Sequence, residues 1–204
     1  FVSQIPQLRA RPPFPDPPLF LSASGELKER FIAYDWTADR DQYWDRIRQK
    51  TASLFTTSAE TGAILSGASE TIIDAFHTYG HSLGMAFQIA DDLLDYTGTE
   101  AVTGKPSGHD LRERKVTLPL VGALRNVSEG ESREIRNFFM LVEASDEDID
   151  RVIEIVQDRG GLDYANDRAD LYAGRAWEAL GSLPEDPAVD ALKDAVAYAV
   201  GRDR

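Results

Sequence analysis

From about Gly25 onward, apolar residues recur at steps of three and four, with no convincing period-two run. Ile72, Phe76, Tyr79, Leu83, Phe87, Ala90 and Leu94 mark one long helix. Ser145 with Asp148 has the spacing of a capping box. It opens a helix with the stripe Ile149, Val152, Ile153 and Val156, which Gly160-Gly161 closes. Ala165, Ala169, Tyr172, Ala176 and Leu180 outline a further helix. Asp186-Pro187 caps and starts a last one bearing Val189, Leu192, Val196 and Ala199. The pattern predicts an all-α helical bundle. Thr97–Lys115, rich in Gly, Lys, Pro and Asp, interrupts it and reads as an ordered inter-helix loop. Six of the ten prolines fall in residues 1–18, so residues 1–24 read as an extended arm or leader and 25–204 as the helical domain. The chain opens on Phe1, from which a start removed by processing or truncation is expected.

Composition narrows the function classes. A chain of 204 residues, 42% hydrophobic, can bury a core. Without cysteine it has no disulfide, thiolate metal site or cysteine nucleophile. No apolar run approaches the ~18 residues of a membrane span. A net charge of −13 argues against nucleic acid or an anionic membrane as a partner. A soluble, cytoplasmic protein is expected. Of its 22 basic residues only Lys28, Lys50, Lys105, Lys115 and Lys193 are lysines. An acidic, lysine-poor surface suits a high-salt cytoplasm, and high-GC codon usage accounts for it equally well.

On the long helix, Gln88, Asp91, Asp92 and Asp95 lie at i, i+3, i+4 and i+7 and share a polar stripe that His81 and Gly84 extend backward. Gly84 would let a ligand approach the backbone. Three carboxylates so close repel unless a cation sits among them. Oxygen ligands alone favour Mg²⁺, bound by few carboxylates and completed by substrate phosphate. The alternative is a solvated acidic face. Lys50 falls on the apolar stripe Tyr43, Ile47, Lys50, Leu54, where an unpaired ammonium is costly. Lys105 and Lys115 flank the loop that follows the carboxylates. Ammoniums are natural point-charge partners for phosphate; snorkelling for Lys50 and loop solvation for the other two are the bland counterparts. Carboxylates and ammoniums with no nucleophile or histidine base describe a site for metal-bridged diphosphate.

These residues resemble a known family. The run Tyr79-Gly80-His81-Ser82-Leu83-Gly84-Met85-Ala86-Phe87-Gln88-Ile89-Ala90-Asp91-Asp92-Leu93-Leu94-Asp95 is similar to the second aspartate-rich motif of trans-isoprenyl diphosphate synthases. Thr103–Leu111, continuing through Lys115 to Thr117-Leu118-Pro119, resembles the loop after that motif. Lys50-Thr51-Ala52-Ser53-Leu54-Phe55 resembles the family's KT helix and Gly25-Glu26 the opening of the helix before it. The match is strong over about residues 25–125 and weaker to 204, and the acidic, Arg-rich tail is similar to haloarchaeal members. The resemblance implies a helical bundle of the isoprenoid-synthase type. It also implies electrophilic alkyl transfer: an allylic diphosphate loses diphosphate and the cation is attacked by isopentenyl diphosphate. Asp91 and Asp92 would bind Mg²⁺, with Asp95 in the same cluster. Lys50, Lys105 and Lys115 would hold the allylic diphosphate, and Lys50, Thr51, Gln88 and Lys105 form the implied catalytic set.

The resemblance breaks upstream. Nothing before the KT segment matches the family's first aspartate-rich motif, its arginine pair or its isopentenyl-binding basic residues, and the usual Gln of the Gly-Glu-x-x-Gln segment is Glu29. Asp35, Asp39, Asp41 and Asp45 read as a solvated turn and helix start. The chain therefore reads as the second half of a synthase, lacking its N-terminal helices and exposing apolar faces unless a partner covers them. A homodimer, or pairing with a chain that supplies the missing half, is expected. A non-catalytic partner subunit of a complete synthase is the alternative, and an unrelated acidic helical interaction domain the third reading.

Overall fold

The computed structural model describes residues 18–32, 40–98 and 107–201. Most of these residues are helical, with no strand among them, as the apolar periodicity predicts. The helices are α1 (Pro18–Ile32), α2 (Arg40–Ile47), α3 (Ser53–Leu65), α4 (Glu70–Thr97), α5 (His109–Arg112), α6 (Leu118–Ala123), α7 (Glu129–Met140), α8 (Asp146–Asp158), α9 (Gly161–Leu180) and α10 (Pro187–Val200). The first departs from expectation. α1 begins at Pro18, seven residues before Gly25, because proline is tolerated in a first helical turn, where its missing N–H has no intrahelical partner. Residues 18–24, predicted as part of the arm, are helical, and residues 1–17 lie outside the described residues.

Helices α2 and α3 form one continuous rod joined by a π-turn, Arg48–Ala52, in which the Ser53 N–H reaches back five residues to the Arg48 carbonyl. The extra residue changes the phase of the buried face. Tyr43 and Ile47 are buried, and the next buried position is Ala52, followed by Ser53, Thr56 and Glu60. An uninterrupted α period puts Leu54 inside, whereas it is 39% exposed. Lys50 is carried by the turn itself to the rim of the core rather than along an apolar stripe.

The 28-residue α4, about 42 Å long, is the central strut, with α3 on one side and α9 along another. A helix enclosed in this way is buried on more than one face. Besides Tyr79 and Leu83 of the predicted stripe it buries Met85, Ile89, Leu93 and Tyr96, which pack with Tyr43, Leu118, Ala165 and Ala169 or with the α6–α8 layer. Gly80 and Gly84 set the α3–α4 spacing. A Cβ on Gly84 would lie 2.7 Å from the Ala52 Cα, and one on Gly80 2.7 Å from the Phe55 carbonyl oxygen. The close approach at Gly84 is therefore made by a neighbouring helix, not by a ligand.

The C-terminal helices start where the sequence places them. Ser145 and Asp148 close a reciprocal capping box, with Asp148 N to Ser145 Oγ at 3.2 Å and Ser145 N to Asp148 Oδ2 at 2.9 Å. Ser128 and Glu131 form a second box on α7. Asp186 Oδ1 accepts from the Ala188 N–H at 2.8 Å. Gly160, at φ +72°, turns α8 directly into α9. The predicted Thr97–Lys115 loop is partly helical, since α5 lies within it; residues 99–106 lie outside the described residues. On α1, Leu19, Phe20 and Leu27 are each more than half exposed, so the first described helix does present apolar side chains outward.

Candidate active site

Four parts of the fold enclose one cavity of about 690 Å³. Helix α1 lends Glu26 and Glu29. The α2 end and π-turn supply Arg46, Ile47 and Lys50, and α4 supplies Gln88, Asp91 and Asp92. The segment from α5 to the start of α6 adds His109, Asp110, Glu113, Lys115 and Thr117. Of the residues singled out in the sequence, Lys50, Gln88, Asp91, Asp92 and Lys115 meet here. Lys105 lies outside the described residues.

The π-turn is held from two sides. Gly25 of α1 presses on it so closely that a Cβ there would be 2.5 Å from the Lys50 nitrogen, and Gly84 of α4 abuts Ala52. Ser22 Oγ donates to the Lys50 carbonyl at 3.0 Å, which ties α1 to the turn. Lys50 and Thr51 thus sit on backbone whose departure from the α-helix is enforced by packing.

A hydrogen-bonded chain crosses the site. Thr51 Oγ1 donates to Gln88 Oε1 (2.7 Å), Gln88 Nε2 donates to Asp92 Oδ1 (2.9 Å), and Tyr43 OH donates to Asp92 Oδ2 (2.8 Å). Asp92 is only 4% exposed. Burial, reinforced by the Asp110 charge, pushes its carboxyl up to about 7, against the opposing pull of Arg46 and the bonds from Gln88 and Tyr43. Burial also raises the Tyr43 hydroxyl, with the Asp92 charge adding to the effect. Asp91, the neighbour in sequence, is exposed on the cavity side. The stripe is therefore not a uniformly solvated acidic face.

Asp95 is occupied differently. Its Oδ2 accepts from the Asp110 N–H at 3.0 Å, and its backbone carbonyl accepts from the Gly108 N–H at 2.8 Å and the Ser107 hydroxyl at 3.3 Å. It anchors the start of α5 and does not line the cavity. Burial and the Asp110 charge raise it to about 6, despite the hydrogen bond it receives.

The two described lysines of the site are saturated with carboxylates. Lys50 Nζ lies 2.5 Å from Glu29 and 3.1 Å from Glu26; Lys115 Nζ lies 3.2 Å from Glu29, 3.2 Å from Asp110 and 2.6 Å from Glu113. Burial alone would lower both ammoniums, but these carboxylates outweigh it and hold both above the ordinary lysine range. Arg46, 4% exposed, donates to the Val116 carbonyl at 3.0 Å and fixes the segment that carries Lys115. Sequence reasoning missed Tyr43, Arg46 and Asp110 as members of the site. Glu29 was visible only as a departure from a familiar motif.

Six carboxylates line the cavity against Arg46, Lys50 and Lys115. A diphosphate would meet net negative charge, and an accompanying cation would offset the repulsion. Among the described residues no three Asp, Glu, His or Cys side chains converge on one point. Asp91 and Asp92 offer the cavity carboxylate oxygens, the donor type of a hard divalent ion that keeps waters and takes one or two carboxylates plus phosphate oxygens.

Known proteins place the chain in a family. The sequence profile of the polyprenyl synthetase family matches residues 19–156. The chain is 34% identical over 180 residues to heptaprenyl diphosphate synthase component 2 of Bacillus subtilis, covering 87% of this chain and 50% of that protein. It is 36% identical over 183 residues to octaprenyl diphosphate synthase of Haemophilus influenzae, covering 89% and 55%. Its fold superposes, at a TM-score of 0.85 and 34% identity, on a Caulobacter crescentus polyprenyl synthase complexed with calcium and isoprenyl diphosphate, covering 90% of this chain and 56% of the other. A decaprenyl diphosphate synthase from Rhodobacter capsulatus gives 0.83 and 36%, covering 90% and 57%. The bundle has the all-α fold of the prenyl diphosphate synthases, and the chain belongs to the polyprenyl synthetase family. It spans about half the length of the curated relatives it matches.

Proposed function

We propose that this chain supplies the second aspartate-rich wall and the allylic-diphosphate lysines of a Mg²⁺-dependent trans-prenyltransferase, which joins an allylic diphosphate to isopentenyl diphosphate to make a longer polyprenyl diphosphate. The observation that carries the reading is the meeting of Asp91, Asp92, Lys50 and Lys115, from three separate parts of the chain, on one cavity. The family's members support the reaction class, and a neighbour crystallised with calcium and isoprenyl diphosphate supports a divalent-ion and prenyl-diphosphate site.

In this reading Asp91 and Asp92 would hold Mg²⁺, which when bound offsets the charge of the leaving diphosphate. Lys50 and Lys115 grip diphosphate oxygens, and Lys105 joins them. As the allylic C–O bond breaks, its electron pair goes to the diphosphate, and fixed ammoniums there lower the barrier. The double bond of isopentenyl diphosphate attacks the allylic carbon, forming the new C–C bond, and the resulting cation gives up a proton to the released diphosphate as the new double bond forms. Thr51, through Gln88, keeps the Asp92 carboxylate aimed. Asp95 contributes by anchoring α5, and with it Asp110, beside Lys115.

The partner is a second copy or a chain supplying the other carboxylate wall. The name of the Bacillus subtilis relative marks that protein as one component of a synthase, which favours keeping a partner-subunit role as the second reading. A cytoplasmic location completes the proposal; no described helix is long and apolar enough to cross a membrane.

The test is Mg²⁺-dependent binding of a short allylic diphosphate, followed by transfer to labelled isopentenyl diphosphate, at high salt. Asp91→Ala with Asp92→Ala is expected to abolish binding while the helical signal persists. Binding that survives the double substitution refutes the metal assignment. Binding without turnover by a folded chain favours the partner-subunit reading.

A further inference from the structure

One buried carboxylate stands inside the phosphate-binding part of the cavity. Glu29 has a side chain only 10% exposed, and it divides its oxygens between the two lysines, Oε2 at 2.5 Å from Lys50 Nζ and Oε1 at 3.2 Å from Lys115 Nζ. Among the described residues it alone bridges the two ammoniums, and it joins α1 to the π-turn and to the segment after α5. Its neighbours differ in burial: Glu26 and Glu113 have side chains 47% exposed, whereas Glu29 is held at the back of the site.

We infer that Glu29 is a positioning and selectivity residue: a built-in counter-anion that holds Lys50 and Lys115 in place, weakens the grip of that lysine pair on free diphosphate, and thereby makes the site select the metal-complexed form. The physical basis is Coulombic. An incoming diphosphate must share both ammoniums with a carboxylate that cannot leave, and the repulsion falls when the ligand's charge is offset by a divalent ion. Glu29 is ionised for this purpose: burial opposes its charge, but the Lys50 hydrogen bond and the charges of Lys50, Arg46 and Lys115 outweigh burial and keep it below the usual carboxylate range. The inference rests on the proposal that Lys50 and Lys115 bind diphosphate.

Calorimetric titration of inorganic diphosphate into the full chain, once in EDTA and once in saturating Mg²⁺, tests it. Glu29→Gln keeps the shape and removes the charge, and is expected to tighten binding in EDTA about tenfold while changing binding in Mg²⁺ by less than about threefold. Glu29→Asp keeps the charge but withdraws it by one methylene; it is expected to move the same ratio in the same direction by less, and it decides the matter if the glutamine variant does not fold. A merely structural role would lower stability without moving the EDTA-to-Mg²⁺ ratio. Binding in EDTA that is unchanged or weaker in the folded Glu29 variants, with Lys50→Gln and Lys115→Gln each weakening it, overturns the role of Glu29 alone. Lysine variants that leave diphosphate binding unaltered overturn the phosphate-site reading itself, and the inference with it.

Discussion

Thr51 on the π-turn and Gln88 on α4 are joined by a 2.7 Å hydrogen bond that settles which way the Gln88 amide faces. With its oxygen taken by the Thr51 hydroxyl, the amide nitrogen is directed at Asp92 Oδ1. A residue of the KT segment therefore orients a carboxylate 41 positions further along the chain without touching it.

Thr51→Val keeps the shape and removes that donor. Loss of one partly buried hydrogen bond is expected to cost about 1 kcal/mol of stability, and Mg²⁺-dependent diphosphate binding is expected to weaken several-fold. Urea denaturation and calorimetry on the same variant check both. Unchanged binding would mean that Gln88 is oriented by Asp92 alone.

Asp92 makes the chain's stability depend on pH in an unusual direction. Its folded carboxyl titrates near 7 against an unfolded value of 3.8, so across the intervening window the native state holds a proton that the unfolded state has released. Stability contributed by this group is therefore full below the unfolded value and is lost as pH rises toward 7. Relative to Asp92→Asn, the parent chain in EDTA is expected to lose about 2 kcal/mol between pH 5 and pH 7. Denaturation midpoints of the two proteins across that range give the difference directly. Parallel curves would contradict the buried, proton-holding Asp92.

Lys50 has structural partners, which sets the sign of its removal. From the sequence, Lys50→Ala is expected to relieve a costly charge on an apolar stripe. In the fold it strips Glu29 of its 2.5 Å partner and leaves that buried carboxylate to Lys115. Destabilisation of roughly 2 kcal/mol is expected instead, together with weaker allylic diphosphate binding. A chemical melt without ligand distinguishes the two signs.

Two glycines on helices predict opposite outcomes. Gly25→Ala would drive a methyl to 2.5 Å from the Lys50 nitrogen and 2.8 Å from its Cα, so α1 must shift; a loss of about 1–3 kcal/mol and weaker diphosphate binding are expected. Gly174 lies in the middle of α9, where an added Cβ would meet nothing within 4 Å. Its replacement by Ala is expected to stabilise the chain by about 0.5–1 kcal/mol with binding unchanged. Thermal melts of the pair test the packing around the π-turn.

Asp95 separates metal binding from loop anchoring. Asp95→Ala removes the acceptor of the Asp110 N–H and is expected to speed amide exchange across residues 107–117 at least tenfold, about the effect of losing one anchoring bond. Diphosphate binding is expected to fall less than in Asp91→Ala with Asp92→Ala. An equal loss, with exchange unchanged, would make Asp95 a direct ligand.

Much of this was legible in the sequence because it rests on local chemistry. The three-and-four spacing, the Ser145–Asp148 box and the Asp186-Pro187 start are written within one or two helical turns, and the helices follow them. The polar positions of the long helix, and the scarcity that drew attention to Lys50 and Lys115, are likewise properties of the string. The phase change at residues 48–52 was not legible. A π-turn differs from an α-helix by one residue whose cost is met by Gly25, Ser22 and Gly84 packing around it, and those contacts come from 20 to 40 positions away. The sequence alone thus determined an all-α chain of the polyprenyl synthetase kind and the residue types of its candidate site. Only the tertiary structure decided that Asp92 is buried under Tyr43, that Asp95 serves the α5 anchor, and that Glu29 stands between two lysines. Each of these depends on which distant group fills the space beside a side chain, and no periodicity along one helix records that.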